Sequence, residues 1–270
     1  MAFNLTDPTF PPEIEHVIFT SAVEHQDLRP FPINLILVAK RVHQWLIPIL
    51  YRTISLHADQ EYPILWGPET LEKHGKYARN LFLWTPSSEF DGISPDLPLS
   101  LCPNVTNLFW WAPTHKAEVK AISQLPLTCL SVELNNIEQT PDIIKTFSRI
   151  THLDNIGIFT DNIITLDHFT SLTHLSAQED EPAQISLLFD RVPKLQVLIC
   201  YRCERSLTRP VVEDFDPDND DPRLVRMAYG VGACFEDWFA DIIYSRGIWG
   251  LAEAAIETRK KEREPKGSLN

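Results

Sequence analysis

Glycine is scarce in this chain, with nine in 270 residues. The tight turns that cradle cofactors lean on glycine's freedom at positive φ, so the shortage argues against a cofactor-dependent enzyme. No phosphate loop, kinase motif set, Gly-x-Ser-x-Gly elbow or HExxH pair occurs either. Basic residues are also few: 24 Lys and Arg stand against 37 Asp and Glu. The net charge of -13 creates a field that repels phosphate and disfavours broad nucleic-acid binding. The cysteines form an odd set of five (Cys102, Cys129, Cys200, Cys203, Cys234), which fits reduced thiols in cytoplasm or nucleus better than a secreted disulfide framework. Long apolar runs are missing, since stretches such as "LILVA" are too short to cross a bilayer, and the first residues lack a signal peptide's basic and apolar regions. No membrane partner is expected.

What is present begins with "FPPEIEHVIF", Phe10 to Phe19. Pro11 and Pro12 predict a helix start, because a proline in the first turn loses no helical hydrogen bond, and Glu13 complements the positive end of the dipole. Ile14, Val17, Ile18 and Ala22 recur at i, i+3, i+4 and i+8, the spacing of one buried stripe, with Phe19 off it. A second segment, Ile33 to Leu50, is apolar on more than one face and needs cover on two sides.

These two segments resemble an F-box, the helical module that docks on the Skp1 adaptor of cullin-based ubiquitin ligases. Phe10, Pro11, Glu13 and Ile14 stand where the family has Leu-Pro-x-Glu-Ile, and Val38-Ala39-Lys40-Arg41 matches its later signature. Val42 occupies the family's tryptophan position, with Trp45 three residues on, and the linker between the halves is longer than usual. The ending "KRVHQWLIPILYRTISL" is similar to that of the divergent F-box-like proteins of mushroom-forming fungi. The resemblance implies an Skp1-type partner and an adaptor surface of Pro11, Pro12, Glu13, Phe19, Leu37, Val38, Lys40 and Arg41. A three-helix cap closing the end of a larger domain is the competing expectation.

Further along, segments recur around Leu81, Leu108, Leu130, Leu153, Leu175 and Leu198, at steps of 27, 22, 23, 22 and 23 residues. Such a period suits degenerate leucine-rich repeats, and Val105, Leu127, Ile150, Leu172 and Leu195 each precede an anchor by three. Helices are expected between anchors, clearest at "TPDIIKTFSRI", where Thr140 can cap and Pro141 takes the first turn, and at "AQISLLFDRV". A doubly wound α/β sheet is the competing fold.

Chemistry is thinly represented. Cys200-x-x-Cys203 lacks the second pair that zinc requires, and the acidic run Glu213 to Asp221 places Asn219 and Val225 where a calcium loop needs Gly and Glu. No catalytic residue, metal or cofactor is assigned. Trp84, Trp110 and Trp111 sit on or just after anchors, where they either bind a partner or fill a thin core. Toward the end, "CFEDWFADII" and "IWGLAEAAI" carry helical spacing before a charged tail.

The expected fold class is therefore an α/β repeat: an F-box-like helical module over 1–56, a degenerate leucine-rich-repeat solenoid over 57–233, a C-terminal helical cap over 234–263 and a flexible tail over 264–270. The expected function is a non-enzymatic adaptor that binds Skp1 through its first helices. An unknown protein substrate would lie on a ladder of Trp110, His152, His174 and Gln196 along the solenoid's open face. A free-standing repeat scaffold and, last, an enzyme are the other readings.

Overall fold

The computed structural model describes residues 10–24, 33–57, 68–84, 96–111, 115–156, 166–178, 182–204, 207, 209–217, 220–230, 237–240, 242 and 247–263. The linker within 25–32, Cys234, Asn219 and the tail over 264–270 lie outside the described residues.

Three helices come first: α1 (Pro12–Glu24), α2 (Ile33–Ile36) and α3 (Lys40–Leu50). Helix α1 starts where the prolines predict, with the Ile14 and Glu15 amides donating to the Pro11 carbonyl at 3.0 and 3.1 Å. Its buried side differs from the expected stripe. Val23 is fully buried and Phe19 packs with Val42 and Leu46 of α3, whereas Ile14, Val17 and Ile18 are about half exposed (48%, 58% and 48%). The segment from Ile33 to Leu50 is two helices, because Ala39 adopts an extended conformation (φ -158°, ψ 153°) between them. Arg41 of α3 ties to Glu15 of α1 by two hydrogen bonds of 2.7 and 3.0 Å.

Strand β1 (Thr53–His57) follows at once and opens a nine-stranded sheet. Next come helix α4 (Pro68–His74), β2 (Asn80–Trp84), α5 (Asp96–Leu101), β3 (Asn107–Trp111), α6 (Lys116–Gln124), β4 (Cys129–Val132) and α7 (Pro141–Phe147). The chain continues through β5 (His152–Asn155), β6 (His174–Gln178), α8 (Pro182–Arg191), β7 (Val197–Cys203), the short β8 (Val211–Val212), β9 (Leu224–Tyr229) and α9 (Ile248–Arg263). The order across the sheet is β1-β2-β3-β4-β5-β6-β7-β9-β8, parallel throughout except for the β8–β9 pair.

The anchor leucines are register partners: Ile54, Leu81, Leu108, Leu130, Leu153, Leu175, Leu198 and Leu224 form one row. Threonines set the strand starts. The amides of Thr128, Thr151 and Thr173 donate to the carbonyls of Thr106, Thr128 and Thr151 at 2.8, 2.8 and 2.9 Å, and their hydroxyls reach the same carbonyls. The leucine row packs with Leu71, Leu99, Ile122, Phe147 and Leu188 of α4 to α8 in the main core, which places those helices on one face.

The expected helical module, leucine-rich-repeat solenoid and helical end cap are corrected by this sheet. A solenoid leaves its strand face open; here both faces are covered, giving a mostly parallel α/β sheet with the layering of Rossmann-like proteins. Strand order is sequential from β1 to β7, and β1 belongs to the same sheet although it begins just after α3. The physical reason lies one residue past each leucine. Phe82, Phe109, Ile199 and Val225 point away from α4 to α8 and are 0–2% exposed, so that face also needs apolar cover. Trp238 supplies it over Phe82 and Phe109, and α9 lays Ile248, Ala252 and Ile256 against Ile199, Val225 and Met227. Helix α9 is thus a layer on the sheet, not a cap on its end.

Candidate functional site

Two places hold side chains that packing alone does not explain: the outer side of the N-terminal helices and the middle of the face beneath the C-terminal segment.

Ile14, Val17 and Ile18 share one face of α1 and are exposed, as are Phe10 just before the helix and Leu37 (73%) and Val38 (60%) between α2 and α3. Among the described residues these are six of eight large exposed apolar side chains, the other two being Leu187 and Val211. Pro11, Pro12, Glu13 and Lys40 are exposed beside them. Arg41 is exposed but held by Glu15, whose hydrogen bonds raise its pKa. Phe19 stands apart from the other expected adaptor-binding residues, since it packs toward α3.

On the far face of the sheet, three rows run across the strands. The first joins Asn80, Asn107, Cys129, His152 and His174; the second joins Phe82, Phe109, Ser131, Asp154, Ser176 and Ile199. The third includes Trp84 and Trp111, which stack at 4.9 Å, and, farther along, the paired Gln178, Tyr201 and Met227. Asp154 therefore lies between two serines on the adjoining strands. The Ser176 hydroxyl donates to its Oδ1 in a short hydrogen bond, and Ser131 bonds it as well. Burial raises its carboxyl to about 6 against the pull of both hydroxyls.

The imidazoles of His152 and His174 stack beside it, each meeting the Trp249 ring edge-on (81° and 88°). His174 Nε2 lies 3.1 Å from Glu253 Oε1, while the two Nδ1 atoms lie 3.0 and 2.8 Å from the hydroxyls of Thr151 and Thr173. Burial lowers both imidazole pKa values, that of His152 to about 4 with help from His174. Two cavities flank Asp154. One, of about 200 Å³, is bounded by Asn107, Ser131, His152, Trp238, Trp249 and Glu253; the other, of about 90 Å³, is bounded by Phe109, Trp111, Gln178, Tyr201 and Tyr229. Trp238 Nε1 donates to Asn107 Oδ1 at 3.2 Å at the edge of the first.

No protein-family model matches this chain, and no curated protein is similar to it.

The structure does not assemble the expected ladder of Trp110, His152, His174 and Gln196. Trp110 lies two residues past its leucine and so on the helix-covered face, 1% exposed. Gln196 precedes β7, exposed, with its amide donating to the Thr173 carbonyl. His152 and His174 do share the far face, but His174 is only 7% exposed beneath α9. Trp84 and Trp111 lie on that face with Trp238, in the aromatic cluster. The Cys200 thiol is buried among the helices while Cys203, three residues along the strand, borders the smaller cavity, so the pair cannot converge on one ion. The acidic run is held by arginines, through Arg202–Glu213, Arg226–Asp220 and Arg223–Asp221. Among the described residues no helix is long and apolar enough to cross a membrane.

Sequence reasoning missed Asp154, Ser131, Ser176, Trp249 and Glu253. A signal existed one residue past each leucine anchor, where Phe82 and Phe109 give way to Ser131, Asp154 and Ser176 before Ile199 restores an apolar side chain.

Proposed function

We propose that the chain is a non-enzymatic interaction adaptor of the cytoplasm or nucleus. Its N-terminal helices dock on an Skp1-type protein of a cullin-based ubiquitin ligase, and the rest of the chain holds a protein substrate. The carrying observation is the concentration of exposed apolar side chains on α1 and the α2–α3 junction. Exposed apolar groups scattered singly are ordinary, whereas several on one small helical unit mark an interaction surface. The F-box resemblance supplies the partner's identity, and the proline-fixed start of α1 supports the reading by limiting the ordering cost of docking.

The test is complex formation between the intact chain and purified Skp1, with an established F-box protein as positive control. Co-elution that is lost in Val17→Asp and Leu37→Asp, both at exposed positions, is the expected result. No complex with the intact chain sinks the ligase role.

One observation favours a second reading, in which the same helices only cover the sheet's first edge in a free-standing scaffold. Tyr51 stacks on His74 at 4.4 Å, and Tyr77 packs against the α1–α3 cluster. Under that reading Val17→Asp and Leu37→Asp change nothing in binding, and deletion of residues 1–50 unfolds the remainder.

A further inference from the structure

The smaller cavity beside Asp154 has the makings of a ligand site. It lies toward the carboxyl ends of β3, β5, β6, β7 and β9, the end of a parallel sheet where ligands commonly bind. Its walls are aromatic and aliphatic, with Phe109, Trp111, Tyr201 and Tyr229 supplying four rings. Its volume of about 90 Å³ is several times the ~10–15 Å³ needed to hold one water, so a group of several heavy atoms fits. Exposed Cys203 and half-buried Gln178 and Trp111 border it, giving it a way out to solvent.

Among the described residues bounding this cavity Asp154 is the one acidic or basic side chain. A carboxylate in the middle of a covered sheet is costly unless it is compensated. Two serine hydroxyls occupy part of its capacity of about four acceptor sites. Among the described residues no cation reaches it: its neighbours are hydroxyls, and the imidazoles of the same face engage Thr151, Thr173 and Glu253 instead. Burial raises its pKa to about 6 despite both hydroxyls, as expected for a carboxylate with no cation beside it.

We propose that this cavity binds an organic ammonium group, with the aromatic rings around the cation and the Asp154 carboxylate as its counter-ion. Aromatic faces attract a desolvated cation, most strongly when several rings surround it, and a carboxylate at the base selects charge over shape. The overall charge of -13 draws such a ligand toward the protein. This assignment does not depend on the proposed Skp1 docking, because among the described residues none of α1 to α3 bounds the cavity. The ammonium is a quaternary one, carried either by a methylated lysine side chain of a partner protein or by a free small molecule, and the chemistry is shared.

Calorimetric titration of the full chain with choline, and with its neutral carbon isostere dimethylbutanol, tests the assignment. Choline is expected to bind about tenfold or more tightly than the isostere, and Asp154→Asn to remove about that much of its affinity. Trp111→Leu, at a half-buried wall position, is expected to weaken choline as well and serves if the Asp154 variant does not fold. A second arm compares choline with a short peptide carrying trimethyl-lysine. Tighter binding of the peptide identifies a partner's methylated lysine as the source, and tighter binding of choline a free quaternary ammonium compound. The proposal is overturned if neither ammonium binds at millimolar concentration, if the isostere binds as well as choline, or if folded Asp154→Asn keeps wild-type affinity.

Discussion

His152 and His174 lie face to face on neighbouring strands, ring centroids 4.1 Å apart and planes 10° from parallel. Stacking at this distance suits two neutral rings, since two imidazolium charges so close would repel. The pair links the sheet to α9 through the Trp249 edge and the Glu253 carboxylate.

Acid should therefore loosen the C-terminal layer. Both imidazoles have folded pKa values below the unfolded 6.5, and burial is the leading cause for each. Below pH 6.5 the unfolded chain binds more protons at these positions than the folded one, so stability falls with pH through a window that extends to about 4 for His152. Asp154 acts in the opposite sense: its folded pKa of about 6 exceeds the unfolded 3.8, so its protonation favours the fold between those values. His152→Phe keeps a flat ring at the stack and removes the titration. Melting temperatures taken from pH 7.5 to 4.5 are expected to decline less steeply in this variant than in the wild type; equal slopes would refute the histidine contribution.

Trp238 covers Phe82 and Phe109 and is 7% exposed. Its ring centre lies 5.3 Å from that of Phe82, and its Nε1 donates to Asn107 Oδ1. Trp238→Ala uncovers two stacked phenylalanines and leaves the Asn107 carbonyl oxygen without that donor. The expected cost is about 3–5 kcal/mol, read from urea denaturation. Trp238→Phe, which keeps most of the cover, is expected to lose less than half as much.

Much of the sheet could be read from spacing. The leucines aligned at steps of 22 to 27 residues are register partners, and the residues three before them, Val105, Leu127, Ile150, Leu172 and Leu195, are all buried. Helix α7 starts as expected, with the Ile143 amide donating to Thr140 Oγ1 and Pro141 in the first turn. These features depend on neighbours within one or two repeat lengths. The cover of the second face does not. Trp238 reaches Asn107 across 131 residues and Glu253 reaches His174 across 79, distances over which local periodicity carries no information. For α1, apolar spacing predicts a buried stripe, yet Ile14, Val17 and Ile18 are about half exposed, because periodicity identifies a face without saying whether the protein or a partner covers it.

That ambiguity becomes a measurable contrast within α1. Phe19 packs with Val42 and Leu46, so Phe19→Ala should destabilise the helical unit by about 1–3 kcal/mol, less than a fully buried phenylalanine. Val17, 58% exposed, should tolerate alanine within about 0.5 kcal/mol. Chemical denaturation of the two variants checks the assignment, and the opposite ranking would mean that α1 is rotated about its axis.

Ala252 sets how closely α9 approaches the sheet. It is fully buried between Ile248 and Ile256, in the cluster with Val197, Ile199, Val225 and Met227. The helix is pinned farther along, where the Arg259 guanidinium donates to the Leu224 carbonyl at 2.6 Å and lies 4.0 Å from the centre of the Phe215 ring. With its far end held, the helix cannot shift freely to admit a larger side chain. Ala252→Leu is therefore expected to cost about 1–3 kcal/mol through overpacking. Ala254, on the exposed side of α9, supplies the control, because leucine there adds bulk to solvent at nearly unchanged helix propensity. Hydrogen exchange of the α9 amides provides the readout: faster exchange in Ala252→Leu with wild-type exchange in Ala254→Leu is the expected outcome. Equal protection in both variants would show that α9 does not pack through Ala252.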